Sequence, residues 1–360
     1  MLWNERAEKA QQALDREFWN PSIRMYDIET PCPDGTCNTI FHYWWMAHAA
    51  DGLADGLLRT GDDRYADRLS ELHEGIREKN GGAFPNLLYD DMEWMAIAWL
   101  RAYDATGEER YKQTALSLWA DIRTGWNDTM GGGIAWHKEQ PGYKNTPANG
   151  PAAILAVRLY RRFGREEDLS WAIRIYDWLK RHLVDPETGF VWDGMNRLGD
   201  GAIDKEWRFT YCQGVFIGAA VELFRATGDA AYLADANRTA EAASAEWGGG
   251  ILPDEGDGDG GLFKGILVRY LSELILEAQE TTSSQAAWLL RNGMTLWAAT
   301  HGAQDERRHL FGTDWRSAPG EKVTLSAQLS GVFLFERLAE LEKRDLLPSA
   351  DAAFASSTDH

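Results

Sequence analysis

Asp90 and Asp91 stand side by side at the start of the helix-patterned run DDMEWMAIAWLRAYDATG. One acid at a helix start satisfies free backbone N–H groups and suits the positive end of the helix dipole. A second acid beside it adds like-charge repulsion, which drives one carboxyl toward its neutral form. A neutral acid next to an ionised carboxylate is the pairing that glycoside hydrolysis uses, one group protonating the leaving oxygen and the other attacking. Consecutive helical residues point about 100° apart, so the two can flank one small volume only near the first turn. Retaining glycosidases hold their carboxyls about 5–5.5 Å apart and inverting ones about 6.5–9.5 Å apart. Adjacent side chains reach the shorter range. The competing reading is a doubled helix cap. A DDxxD metal motif is not completed, because Trp94 occupies its last position.

Other candidates surround that pair in type if not in sequence. Seventeen Trp residues suit a carbohydrate groove, since indole faces stack on sugar rings while polar neighbours take the hydroxyls, although most must serve the core. Trp44, Trp45 and His48 in HYWWMAHAADGLADG form one candidate substrate platform, and Trp94, Trp136 and Trp192 are further ring-stacking candidates. Asn145 and Asn149 in GYKNTPANG, with Tyr211 and Gln213 in TYCQG, supply groups that donate and accept toward vicinal hydroxyls.

These residues need elements to position them. The marks RTGDDRY (59–65), ATGEERY (105–111), RFGREED (162–168) and ATGDAAY (226–232) each end one apolar-periodic segment at Gly and start another after an acid. That is a helix C-cap joined by a tight turn to a helix start. Repetition of such units indicates a ring or stack of helix pairs. Segments 39–58, 90–105, 146–163, 210–226, 262–279 and 323–342 are apolar nearly all round, as inner helices are. Segments 3–17, 64–78, 109–124, 167–183, 230–245 and 284–300 are amphipathic, as outer helices are. Six of each predict an all-α (α/α)6 toroid forming one catalytic domain over 1–345, with a short mobile tail at 346–360. Outer-to-inner connections are long and rich in Gly and aromatics, so the functional face is expected at the N-terminal ends of the inner helices. Asp90 and Asp91 lie there.

Composition narrows the partners. A formal charge of −19 repels nucleic acid and anionic membranes, so a neutral carbohydrate is the expected partner. A monomer is expected, and no metal or organic cofactor. Residues 256–261, GDGDGG, match a dinucleotide-binding pattern literally. Their acids would repel a pyrophosphate, so a flexible acidic loop is expected instead. The charged, amphipathic start MLWNERAEKAQQALDREFW predicts a cytoplasmic chain, an exported one with a trimmed signal being the alternative. Cys32 and Cys37 could close a short loop if the chain is exported.

Together DDMEWMAIAWLRAYDATG, GWNDTMGGGIAW, YKNTPANGPAAILAVRLYR and TYCQGVFIGAAVELFRATGD resemble glycoside hydrolase family 76, the endo-α-1,6-mannanases and their fungal cell-wall relatives. The resemblance runs from about residue 38 to 340. It implies an (α/α)6 barrel and a retaining, endo-acting enzyme on α-1,6-mannan or mannooligosaccharides, with Asp90 as nucleophile and Asp91 as general acid/base. Cys212 departs from the family motif, which usually has Asn between the Tyr and the Gln. Within the same frame a transglycosylase on α-mannosides is one alternative and a non-catalytic glycan-binding (α/α)6 protein another.

Overall fold

The repeated T-G-acid mark is a compact capping device. Gly107 takes φ +74°, a left-handed conformation that favours glycine, and its N–H donates to the Tyr103 carbonyl. Gly61, Gly164 and Gly228 end their helices in the same way. Where Thr precedes the glycine its hydroxyl acts twice. Thr106 Oγ1 donates to the Ala102 carbonyl and accepts from the Glu108 N–H, and Thr60 and Thr227 repeat the pattern. Each mark therefore stops one helix and aims the next within a few residues.

The structure, a computed structural model, describes residues 2–35, 37–278, 282–300 and 309–355. Part of the expected tail, residues 356–360, lies outside these. The described residues contain α1 (Leu2–Phe18), α2 (Tyr43–Thr60), α3 (Asp63–Lys79), α4 (Tyr89–Thr106), α5 (Glu109–Ile122), α6 (Gly150–Phe163), α7 (Glu166–Leu183), α8 (Thr210–Thr227), α9 (Ala230–Glu246), α10 (Gly260–Ala278), α11 (Ser283–Thr300), α12 (Leu325–Lys343) and a short α13 (Ala350–Ala355). Even-numbered α2 to α12 are the apolar inner-type helices and odd-numbered α1 to α11 the amphipathic ones, the alternation of an (α/α)6 fold. The termini fall within four residues of the expected ones. No described helix is long and apolar enough to cross a membrane.

The chain divides into two compact units, residues 1–82 with 244–360 and residues 83–243. In the first, α12 packs on α10, α1 and α2, and α3 covers α2. Buried ion pairs tie its inner helices together: Arg269 of α10 meets Asp51 at 2.9 Å and Asp55 at 2.6 Å on α2, and Arg337 of α12 meets Asp55 at 3.0 Å. Removing one partner from such a buried set leaves an uncompensated charge, so the network fixes register among the three helices. Two antiparallel pairs complete this unit, β1 (Trp19–Asn20) with β2 (Met25–Tyr26) and β3 (Glu29–Thr30) with β7 (Val323–Thr324). A disulfide joins Cys32 to Cys37, closing the loop the sequence left open.

In the second unit α4, α6 and α8 pack in succession, with α5 and α7 outside α4 and α6. Glu222 of α8 binds Arg158 and Arg161 of α6, each at 2.8 Å. The long connections carry β4 (Ala135–His137), β5 (Gln140–Asn145) and β6 (Gly194–Met195), paired antiparallel in that order. This small sheet delivers loop side chains to the start of α4.

Candidate active site

The helix cap at the start of α4 is not made by the acid pair. Leu88 is the N-cap residue, and Asp90 and Asp91 sit inside the first turn as its second and third residues. Asp90 is held at both oxygens: Oδ1 accepts the Asp91 N–H at 2.9 Å, and Oδ2 accepts the Trp136 indole N–H at 3.0 Å. Two donors and the helix N-terminus all favour negative charge there. Asp91 is 8% exposed and accepts a bond from Asn86 Nδ2 at 3.2 Å. Asn86 is itself fixed, because its Oδ1 accepts the Leu88 N–H at 2.9 Å.

The sheet continues outward from Trp136. Its ring meets Tyr143 edge-on with centroids 5.8 Å apart, and the Tyr143 hydroxyl donates to Asp193 Oδ2 at 3.2 Å. The Cys212 thiol lies 3.7 Å from Asp193 Oδ1. Burial pushes the Asp193 carboxyl up to about 6, against the lowering effect of those two donors. The cysteine that departs from the family motif thus faces a buried acid, as a weak donor.

On the inner side, Trp94 donates its indole N–H to the Tyr211 hydroxyl at 2.8 Å, and the Tyr211 hydroxyl reaches the Pro147 carbonyl at 3.4 Å. Burial, then the charge of Asp90, pushes the Tyr211 hydroxyl well above its usual range. Asp90, Asp91, Trp136, Trp94 and Tyr211 are therefore brought together by β4, α4 and α8.

Two expected sugar ligands are corrected. Asn149 is fully buried; its Nδ2 donates to the Ile134 and Asn145 carbonyls and its Oδ1 accepts the Ile134 N–H. Gln213 is fully buried and brackets Val191, accepting from its N–H at 2.8 Å and donating to its carbonyl at 2.7 Å. Both amides anchor loops to inner helices, because an inner helix start must satisfy the backbone of the loop that feeds it. Asn145 is nearly buried and accepts the Ala148 N–H at 3.0 Å.

The platform on α2 belongs to the other unit. Trp44 and Trp45 both donate to Asp259 Oδ1, at 2.9 and 2.8 Å. The acidic loop expected to be flexible thus ends in a clamp on two indoles. Trp45 is buried and stacked on His42 with centroids 3.8 Å apart, whereas Trp44 is partly exposed. His48 is 1% exposed, and burial pulls its imidazole down to about 3, so it stands as a neutral core residue and not as a rim ligand.

A family model, Glycosyl hydrolase family 76, matches residues 2–348. The chain belongs to that family. It is a glycosidase, and its all-α (α/α)6 fold is the family's. The Lin0763 protein from Listeria innocua is similar at 40% identity, with 95% of this chain and 98% of that one covered and a TM-score of 0.89. The GH76A alpha-1,6-mannanase from Salegentibacter sp. HEL1_6 is 42% identical, covering 94% of this chain and 99% of that one with a TM-score of 0.87. Mannan endo-1,6-alpha-mannosidase DCW1 from Candida glabrata is 24% identical over 76% of this chain and 67% of that protein. The cytoplasmic expectation is overturned, since relatives such as DCW1 are cell-wall or secreted glycosidases. A charged first helix says nothing about compartment, because α1 is an amphipathic outer-type helix of the fold. The Cys32–Cys37 disulfide is of the kind that persists in oxidising compartments.

Four residues were not singled out from sequence: Asn86, Tyr143, Asp193 and Glu93. The last had a readable signal, an acid two residues past the pair and inside the apolar run MEWMAIAWL.

Proposed function

We propose that this member of family 76 cleaves α-1,6-mannosidic linkages within mannan or mannooligosaccharides, with retention at the anomeric carbon. The observation that carries the mechanism is Asp90, gripped at both oxygens in the first turn of α4, with the nearly buried Asp91 beside it. A gripped carboxylate has a fixed direction of attack, and a secluded neighbour favours the neutral acid that donates a proton. The Salegentibacter sp. HEL1_6 enzyme supports the substrate. A variant of it, inactive with asparagine at two adjacent aspartates, is solved in complex with alpha-1,6-mannotriose.

In the first step an Asp90 oxygen bonds to the anomeric carbon while the glycosidic C–O bond breaks, and Asp91 gives its proton to the departing oxygen. In the second, the Asp91 carboxylate takes a proton from water, whose oxygen attacks the anomeric carbon. The ester bond to Asp90 breaks and the carboxylate returns. Trp136 holds the nucleophile throughout. Following hydrolysis of α-1,6-mannooligosaccharides by real-time NMR tests this. Initial release of the α-anomer is expected; initial release of the β-anomer would remove Asp90 from its role.

A further inference from the structure

Glu93 follows the acid pair on α4, three residues from Asp90 and so about one helical turn further in on a neighbouring face. It is 0% exposed, and among the described residues no side chain hydrogen-bonds to its carboxyl, which has only the Ala152 backbone amide of α6 beside it. A buried carboxyl this poorly satisfied is costly even when neutral, and far more so when charged.

We propose that Glu93 is a positioning residue for the acid pair: a third carboxyl, standing as the neutral acid behind Asp90 and Asp91, whose ionisation would add a second negative charge behind the nucleophile and stop turnover. The inference rests on the assignment of Asp90 and Asp91 above. Its surroundings fit. Burial first, and then the charge of Asp90, push the Glu93 carboxyl well above the usual carboxylate range, with Asp91 adding in the same sense. The Ala152 backbone amide, in the first turn of α6, eases this only partly. From α8 the titratable group is Tyr211, which feels both Asp90 and Glu93; from α5, α6 and β4 no charged side chain acts on Glu93 among the described residues.

The charge count then stays constant through the cycle. Before attack Asp90 is ionised and the other two acids are neutral. In the glycosyl-enzyme Asp90 is an ester, Asp91 is ionised and Glu93 is still neutral. The cluster carries one negative charge in both states, which spares the low-dielectric site a change in net charge.

The test compares the full chain with Glu93→Gln and Glu93→Met, the second needing no hydrogen bond should the amide disturb folding. The infrared difference between wild type and either variant at neutral pH should show the carbonyl stretch of a protonated carboxylic acid. Log kcat/KM of the wild type should fall on the alkaline side with a slope steepening from about −1 to about −2, while both variants hold about −1. Lack of the infrared band, or equal slopes in all three, would overturn the proposal. A wild type that shows the band yet cuts no α-1,6-mannoside would instead refute the substrate reading and leave the third acid supported.

Discussion

The Trp136 indole N–H donates to Asp90 Oδ2 at 3.0 Å, so a residue of β4 aims a carboxylate in the first turn of α4. The remaining oxygen is occupied by the Asp91 N–H, and rotation of the carboxyl would break both contacts. In the proposed mechanism, pre-aiming of this kind lowers the entropy lost on reaching the transition state. It also links the loop sheet to the first turn of α4, since β4 is held in place by β5.

Asp90→Asn and Asp91→Asn should each fold normally and lose at least about 10³-fold in turnover, as expected for loss of a nucleophile or a general acid. Rates of oligosaccharide cleavage, with circular dichroism to show the fold intact, decide the matter. Wild-type rates in either variant would exclude that residue from the mechanism.

Trp136→Phe keeps the ring and deletes one N–H. A hydrogen bond to a charged group contributes about 1.5–3 kcal/mol, so kcat should fall roughly 10- to 100-fold with little change in Tm. A fall in KM affinity alone, with kcat preserved, would show the indole serving only the substrate.

Trp44 and Trp45 share an acceptor but differ in burial, and they should respond differently. Trp45→Ala empties a core site and should cost about 3–5 kcal/mol, read by chemical denaturation. Trp44→Ala should cost much less, because that indole is already partly exposed. Equal destabilisation by both would assign Trp44 to the core as well.

Most of the fold was legible because helix pairs repeat their punctuation, and Gly61, Gly107, Gly164 and Gly228 are all left-handed caps as their neighbours implied. The place of the acid pair was legible as well, in the first turn of an inner-type helix. What failed was the direction of polar side chains near helix starts. Asn149 and Gln213 have the right chemistry for hydroxyls, but loop carbonyls and amides reach them first, and only coordinates show which backbone lies opposite. Asp193 and Tyr143 escaped notice because they meet across β5 and the segment before β6, 50 residues apart in sequence.

Asp193 gives stability a pH dependence whose sign can be worked out. Its carboxyl is raised to about 6 in the folded chain from an ordinary value of 3.8. Between about pH 4 and pH 6 the folded state therefore binds more protons than the unfolded one, and stability falls as pH rises. Above about pH 6 the loss is complete, and it amounts to a few kcal/mol at most, since one unit of pKa corresponds to about 1.4 kcal/mol. Asp193→Asn cannot ionise, so its Tm relative to wild type should climb from pH 4 to pH 6 and then level off. A difference that stays flat across that range would mean that Asp193 ionises in the fold as easily as in the open chain, with Tyr143 and Cys212 offsetting its burial in full.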